Sequence, residues 1–287
     1  MKIARVETRR CLVGEGPVWD VQDQALYFVD IVGKVVGRYE PSSGETRTWP
    51  VPGVIGSMAL TKSGGAVVAL QDGLYRLDFE TGETTLLARP GALNPRVQFN
   101  DGKVDRRGRF VVGSTDSKMT EAIGEIYSFD KGALTVIDKG ICISNGPCWS
   151  PDNKTFYFSD SVPHSIYAYD YDIETGRAQN RRLFADTREL CGIPDGATVD
   201  TDGLMWMAIC EGAKVVAFRP DGKVERIVDM PAKLTASVMF GGPGLDLLFV
   251  TTIDPTVLGR PPEEGGGYTY VIEGLGARGL PEPRYAG

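Results

Sequence analysis

Four side chains with oxygen donors stand in short turn-forming stretches that recur along the chain. They are Glu15 in GEGPVWD, Asn100 in FNDGK, Asn145 in SNGPCW and Asp195 in PDGATVD. Carboxylate and amide oxygens are the ligands that hard divalent cations prefer, so the four could form one cation cage if the fold brought them together. Taken singly, each has a simpler interpretation, because Asn-Gly and Asp-Gly are ordinary turn dipeptides. Whether they form one site therefore depends on the elements that carry them.

The residues that other hydrolytic and nucleotide-binding sites require are missing or isolated. His164 is the only histidine, which excludes a histidine dyad and an H-E-x-x-H zinc site. The sequence contains no G-x-S-x-G elbow and no Walker loop. Hydrolysis by this chain would therefore rest on a metal ion that polarises a carbonyl and a carboxylate that accepts the proton of attacking water.

The composition is that of an acidic chain with enough apolar residues for a large core. Of its 287 residues 42% are hydrophobic, and the net charge is −7. Nucleic acid and anionic membranes require a basic face, so the acidic balance argues against both as partners. The N-terminus lacks the apolar segment of a secretory signal, and the five cysteines form no C-x-x-C pair. We therefore expect a cytoplasmic protein with reduced, structural thiols.

Short apolar runs separated by turns fill the chain and indicate an all-β protein. Typical runs are ALYFVDI, GAVVAL, RFVVGST, TFYFSD and LMWMAIC, which are rich in the residues that favour strands. The 36 glycines and 18 prolines interrupt the sequence every few residues, and no amphipathic helical stripe of three turns or more is present.

The runs recur with a period that predicts a six-bladed β-propeller. Six units open at positions separated by 42 to 50 residues: Glu15, Ser57, Asn100, Asn145, Asp195 and Ser237. Such a period, with about four short strands per unit, is typical of propeller blades. The prediction is a single domain over 1–287, whose ring is closed when the N-terminal KIARVETRR pairs with the last blade near 267–273. The alternative is a two-sheet sandwich with coincidental spacing.

A propeller would bring the four oxygen-bearing side chains together. The innermost strands of all blades run parallel around one channel, so residues at their starts converge on one mouth. Two carboxylates and two amides there would suit one divalent cation.

At these residues the sequence resembles the gluconolactonase/regucalcin (senescence marker protein) family of six-bladed propeller lactonases. The resemblance covers the whole chain and rests on GEGPVWD (14–20), LYFVDI (26–31), FNDGKVDRRGRF (99–110), ISNGPCWSPDNKTFY (143–157), YAYDYDIETG (167–176), PDGATVD (194–200), FGGPGLDLLFVTT (240–252) and the ending YAG (285–287). It implies that Glu15, Asn145 and Asp195 bind one divalent metal ion, which in the family has been calcium, zinc, manganese, magnesium or iron. It also implies that Asp195 is the general base, that Asn100 lies in the same pocket, and that the substrate is a sugar lactone.

One position departs from the family pattern. Many members carry arginine two residues before the pocket asparagine, whereas this chain has Gln98. Glutamine still donates and accepts hydrogen bonds but lacks the charge and the bidentate fork. We therefore expect Gln98 to bind substrate and to alter the choice of sugar. Arg96 could compensate, although a charged loop residue is the simpler interpretation.

Other polar and aromatic residues near the predicted channel mouth are weaker candidates for a role in the site. Asp116 and Lys118 belong to a polar loop, STDSKMTEAIGE, that could line the pocket, although an exposed loop is the simpler interpretation. His164, Tyr167 and Trp149 are interpreted as structural.

These observations predict a metal-dependent sugar lactonase that acts as a monomer on a small-molecule lactone. The metal would bind the lactone carbonyl oxygen, Asp195 would deprotonate water, and Asn100 with Gln98 would orient sugar hydroxyls. Two alternatives remain open. One is a non-catalytic propeller that binds calcium or senses a sugar acid, and the other is a related hydrolase of phosphotriesters, which the motifs disfavour.

Overall fold

The chain forms six four-stranded antiparallel sheets arranged as the blades of a β-propeller. The computed structural model describes residues 1–91 and 94–287. The first blade holds β2 (Gly14–Asp20), β3 (Ala25–Asp30), β4 (Val35–Glu40) and β5 (Glu45–Pro50). The second holds β6 (Ile55–Leu60), β7 (Ala66–Leu70), β8 (Gly73–Leu77) and β9 (Thr84–Ala88). The third holds β10 (Val97–Val104), β11 (Phe110–Asp116), β12 (Gly124–Asp130) and β13 (Ala133–Ile141).

The remaining blades repeat this order from the innermost to the outermost strand. The fourth holds β14 (Ser144–Trp149), β15 (Thr155–Asp160), β16 (Ser165–Asp172) and β17 (Arg177–Asp186). The fifth holds β18 (Ile193–Val199), β19 (Met205–Cys210), β20 (Lys214–Phe218) and β21 (Val224–Asp229). The sixth holds β22 (Thr235–Gly241), β23 (Leu247–Thr252), β24 (Thr269–Glu273) and, from the other end of the chain, β1 (Lys2–Val6).

Helical structure in the described ranges is confined to two short 3-10 turns, Arg188–Leu190 and Pro255–Leu258. No helix there is long and apolar enough to cross a membrane.

The N-terminal strand closes the ring, as the sequence predicts. β1 pairs antiparallel with β24, from Lys2 opposite Glu273 to Val6 opposite Thr269. The last blade is thereby built from both ends of the chain, so the ring cannot open without breaking that pairing. Trp19 of the first blade stacks on Phe249 of the sixth, with ring centroids 5.5 Å apart, and this contact reinforces the closure.

The core lies between neighbouring blades. All six residues of β3 and all six of β19 are buried, because an inner strand of a blade packs on both faces. The outermost strands are different, and most of β17 is exposed. This gradient explains why the inner runs of the sequence are continuously apolar, whereas the outer ones are charged.

A β-bulge occurs in every innermost strand, close to the strand's start. The register with the second strand shifts between Glu15 and Val18, Ile55 and Ser57, Phe99 and Gly102, Asn145 and Cys148, Pro194 and Ala197, and Thr235 and Ser237. A bulge leaves residues outside the ladder and redirects their side chains. Here six bulges face one end of the channel, where they determine which side chains enter it.

The C-terminal segment 274–287 crosses the opposite end of the ring. Tyr285 bonds through its backbone to Leu60 (2.7 Å) and Lys62 (3.0 Å) of the second blade. Its buried ring stacks on Phe129 of the third blade, with centroids 5.3 Å apart. The segment thus links blades at the end of the channel away from the bulges.

We expect Tyr285→Ala to lower the free energy of unfolding by about 3 kcal/mol, because it removes a buried aromatic ring. The urea midpoint, followed by tryptophan fluorescence, measures the change. Arg278→Ala, at an exposed position of the same segment, is the matched control. Equal midpoints for the two variants would show that the segment does not stabilise the ring through Tyr285.

Candidate active site

The predicted metal ligands lie at the bulges of three different innermost strands. Glu15 and Asn145 are the last paired residues before their bulges, opposite Val29 and Ser159. Asp195 follows the last paired residue of its strand and is the first residue inside the bulge. The sequence repeat treats Glu15, Asn145 and Asp195 as equivalent. In the structure Asp195 lies one residue further along its strand, relative to the bulge, than Glu15 and Asn145 do. Asn100 occupies the same position as Asp195 in the third blade.

A chain of hydrogen bonds fixes the amide of Asn145. Its Nδ2 donates to Ser161 Oγ at 3.0 Å, and Ser161 Oγ donates to the carbonyl oxygen of Pro194 at 2.7 Å. Its Oδ1 accepts a hydrogen bond from Asn100 Nδ2 at 3.0 Å. Because the nitrogen is committed to Ser161, Asn145 presents its oxygen to the channel, and that oxygen retains a second lone pair for a cation.

Asn100 is oriented by the same network. Its Nδ2 also donates to the carbonyl oxygen of Ser144 at 2.8 Å, so both hydrogens of the amide are used. Its backbone carbonyl accepts a hydrogen bond from Ser57 Oγ at 2.7 Å. Within the described residues no donor reaches Asn100 Oδ1, which leaves this oxygen available to a substrate hydroxyl or a water molecule.

Glu15 and Asp195 place two carboxyl groups together in a buried setting. Both residues are 6% exposed. Burial raises the pKa of Glu15 well above its ordinary value, and the charges of Asp195 and Asp101 raise it further. Burial also raises the pKa of Asp195, with the charge of Asp101 adding to the effect. Both shifts reflect burial first and neighbouring negative charge second, and neither carboxylate forms an ion pair with a described residue. A divalent cation would neutralise this environment.

Asp101 adds a third buried carboxylate, but its oxygens are already engaged. Oδ1 accepts the backbone N–H of Gly102 at 2.8 Å, and Oδ2 accepts that of Gly146 at 2.9 Å. Within 1–91 and 94–287, no group of three or more His, Cys, Asp or Glu is placed to hold a metal ion. A cation at this site would therefore need the amide oxygen of Asn145 beside the carboxylates of Glu15 and Asp195. That donor set is all oxygen, and it fits a hard divalent cation.

Gln98 lies on the third blade, two residues before Asn100. It pairs with Thr115 and is half-buried. It lines a cavity of about 420 Å³ between the second and third blades, together with Gln71, Ser114 and Tyr127. Its side chain makes no hydrogen bond with the described residues, so its amide is free to meet a ligand.

Arg96 does not compensate for the arginine that many family members carry at the position of Gln98, because its guanidinium group is already engaged in ion pairs. Its guanidinium bonds to Asp116 Oδ2 at 2.7 Å and to Glu121 Oε1 at 2.6 Å. Asp116 is fully buried and also accepts the backbone N–H groups of Lys118, Thr120 and Glu121. The bond from Arg96 lowers the pKa of Asp116. Asp116 thus holds the polar loop in place, and Lys118 is exposed on that loop.

The aromatic residues and the single histidine have structural contacts. His164 Nδ1 lies 3.1 Å from the carbonyl oxygen of Gly192. Trp149 is buried against Phe156, with ring centroids 5.2 Å apart. The guanidinium of Arg181 lies 4.8 Å from the ring centre of Tyr167. These contacts agree with the structural interpretation of all three.

Sequence reasoning missed Asp101 and Lys103. Both lie in NDGKVD on β10, and both are buried. A signal for them was present, because a charged residue inside a strand that a propeller buries needs a specific partner. Lys103 Nζ donates to the carbonyl oxygen of Ala197 at 2.6 Å.

Residues 13–254 match the family model described as the SMP-30/gluconolactonase/LRE-like region. The whole chain aligns with 99% of regucalcin from Xenopus laevis at 37% identity. A solved luciferin-regenerating enzyme superimposes with a TM-score of 0.92 at 27% identity, over 99% of each chain. A calcium-binding protein, regucalcin, from Agrobacterium tumefaciens superimposes with a TM-score of 0.91 at 27% identity, over 98% of this chain and 96% of the other.

Proposed function

Because this chain belongs to the SMP-30/gluconolactonase/LRE-like family, we propose that it is a metal-dependent hydrolase that opens a sugar lactone to the corresponding sugar acid. The observation that carries the proposal is the convergence of Glu15, Asn145 and Asp195 at one mouth of the channel, with the Asn145 oxygen fixed by Ser161 and Asn100. The proposed enzyme is a cytoplasmic monomer, a single propeller over 1–287, that acts on a small molecule.

In the proposed site, Glu15, Asn145 and Asp195 hold one divalent cation. The donor set selects the class of hard cations and leaves the choice among calcium, magnesium, manganese, zinc and iron to measurement. When bound, such an ion polarises the carbonyl of the lactone and makes it more electrophilic. The same charge offsets the repulsion between the two buried carboxylates.

Asp195 is proposed as the general base. Unlike Asp101, it receives no backbone N–H group from the described residues; its hydrogen-bond partners are the side chains of Glu15 and Cys210. Burial raises its pKa, which makes it a better proton acceptor than an ordinary aspartate. The water oxygen forms a bond to the carbonyl carbon while its proton passes to Asp195. The ester bond to the ring oxygen then breaks, and that oxygen takes the proton to become a hydroxyl group of the product acid.

Asn100 and Gln98 are proposed to bind the sugar. Asn100 offers a free amide oxygen beside the ligand set, and Gln98 offers an uncommitted amide on the same strand. Each can bond to a substrate hydroxyl. Neither carries a charge, which favours neutral lactones over sugar acids as ligands.

A pH-indicator assay with a panel of aldono-γ- and δ-lactones tests the proposal, because hydrolysis releases one acid per turnover. We expect measurable turnover of at least one lactone and none of phosphotriesters. Turnover of phosphotriesters alone would assign the site to the other hydrolase class.

A second candidate function is favoured by the description of the similar Agrobacterium protein as calcium-binding. A non-catalytic propeller would use Glu15, Asn145 and Asp195 to bind calcium or to sense a sugar acid. Calcium binding by calorimetry together with no turnover across the lactone panel would support this function and contradict hydrolysis.

We expect Gln98→Arg to change the preference among sugar lactones more than the rate with the best one. Gln98 would orient hydroxyl groups, and gained or lost hydrogen bonds of about 0.5–3 kcal/mol each are enough to reorder substrates. The values of kcat/KM across the lactone panel measure the effect, and Gln179→Arg, exposed on the outermost strand of the fourth blade, is the control. An unchanged profile for Gln98→Arg would place this residue outside the substrate pocket.

A further inference from the structure

Two buried charged residues on the inner strand of the third blade lie beside the proposed ligand set without belonging to it. Asp101 is 6% exposed and Lys103 is 9% exposed. Burying a charge is costly unless it is paired and hydrogen-bonded. The hydrogen-bond partners of Asp101 and Lys103 therefore indicate the structural role of the two residues.

Asp101 connects the third blade to the fourth. Its Oδ1 accepts the N–H of Gly102 on its own strand, at 2.8 Å. Its Oδ2 accepts the N–H of Gly146, at 2.9 Å, and Gly146 directly follows Asn145 in the bulge. The positive φ of 59° at Gly146 aims this N–H out of the fourth blade's own ladder. The carboxylate of Asp101 thus holds the bulge that carries Asn145.

Lys103 connects the third blade to the fifth, which is not its neighbour in the ring. Its Nζ donates to the carbonyl oxygen of Ala197 at 2.6 Å. Ala197 lies two residues after Asp195 and is where pairing with the second strand resumes, opposite Met207. The Lys103 side chain therefore bridges the third and fifth blades and holds the end of the bulge that carries Asp195. Its ammonium group also lies close enough to Asp101 to oppose the effect of burial on that carboxyl's pKa.

The two bonds matter because the ligands come from separate sheets. Asn145 and Asp195 belong to blades that meet mainly through apolar side chains, and apolar packing is not directional. The bond from Ser161 to the carbonyl oxygen of Pro194 joins the two blades beside the site but holds neither bulge from the third blade. A cation needs its donors placed within tenths of an ångström, and groups that orient ligands commonly contribute 10–100-fold to metal affinity.

We propose that Asp101 and Lys103 are positioning residues that clamp the bulges of the fourth and fifth blades, and so hold Asn145 and Asp195 at the spacing a divalent cation requires. This inference rests on the proposed function, since it assumes that these residues bind a cation.

Lys103→Met tests the clamp, because methionine keeps the apolar stem and removes the donor. Titration calorimetry with Ca²⁺ and with Mn²⁺ measures affinity on protein shown to be folded by circular dichroism. We expect the dissociation constant to rise 10–100-fold. At saturating metal, kcat with a sugar lactone should return to within about 3-fold of the parent, because the Lys103 ammonium is engaged with Ala197 and has no proposed role in binding substrate. Lys154→Met, on the exposed surface of the fourth blade, is the matched control and should bind as the parent does.

Asp101→Asn is the second variant, since its amide can accept only one of the two N–H groups. It should also weaken metal binding at least 10-fold. If the parent binds neither ion, nor magnesium, zinc or iron in the same titration, the proposed function falls and the clamp falls with it. If the parent binds and both variants bind as tightly, the clamp alone is overturned. Failure of both variants to fold would assign the pair to folding and would likewise overturn its positioning role.

Discussion

Removing divalent metal with a strong chelator is expected to abolish lactone hydrolysis, and adding one of the hard divalent cations is expected to restore it. The proposed ligands are oxygen donors from Glu15, Asn145 and Asp195, and no lysine or arginine of residues 1–91 and 94–287 forms an ion pair with the two carboxylates. A carbonyl at the site would therefore depend on the ion for its polarisation. The assay is the pH-indicator measurement on protein whose metal content is verified by elemental analysis. Full activity of a verified metal-free preparation would contradict the mechanism.

Glu15→Gln is the matched variant for that experiment. It removes one ligand charge and nearly preserves shape, so the affinity for metal should fall with little change in the urea midpoint of the chelated protein. If Glu15 is only a structural residue of a glycine-flanked turn, the variant should bind metal as tightly as the parent.

Because the pKa values of the Glu15 and Asp195 carboxyl groups are raised, the affinity for metal should depend on pH. Protons compete with the cation for Glu15 and Asp195, so binding should release protons and weaken as pH falls. The stability of the chelated, metal-free protein should change in the opposite direction and fall as pH rises. A carboxyl whose pKa is raised by folding contributes stability below its ordinary value of about 4, and that stability is lost as pH rises through the raised value. Melting temperatures of chelated protein from pH 5 to 8 should therefore decline, and added metal should reverse the decline.

The repeat in the sequence is enough to predict the blades, because each blade buries its inner strands and so needs apolar runs at a fixed spacing. The apolar runs ALYFVDI and TFYFSD begin at Ala25 and Thr155, which are also the first residues of the second strands of the first and fourth blades. Closure of the ring by pairing Lys2 with Glu273 was also predictable, since an unpaired edge strand in the last blade requires a partner.

Features that depend on backbone geometry or on contacts between distant residues could not be predicted from the sequence pattern. A bulge shifts side chains by one residue without changing the spacing of the repeat, and this is why Asp195 and Glu15 look equivalent in sequence but occupy adjacent register positions. The bond from Lys103 to Ala197 joins residues 94 positions apart. The role of Tyr285 likewise depends on the second and third blades, which no local signal at the C-terminus indicates.

Asp195→Asn is expected to lower kcat by at least about 10²-fold while leaving the protein folded, since removal of general-base assistance typically costs 10²–10⁴-fold. The variant keeps an oxygen that can reach a cation, but an amide cannot accept a proton near neutral pH. Loss of substrate orientation alone would act mainly on KM, so the division between kcat and KM separates the two roles.

Metal binding by Asp195→Asn decides what the loss of activity means. Calorimetry at several metal concentrations establishes whether the variant is saturated in the assay, and kcat is then compared at saturation. A variant that is saturated and still slow supports Asp195 as the base as well as a ligand. If the variant binds no metal at any concentration, its effect is that of a ligand alone. A saturated variant with near-parent turnover would show that another group activates the water. Asp101 is a further carboxylate whose charge raises the pKa of both Glu15 and Asp195, but its two oxygens are held by the N–H groups of Gly102 and Gly146, so we expect it to be a poor substitute.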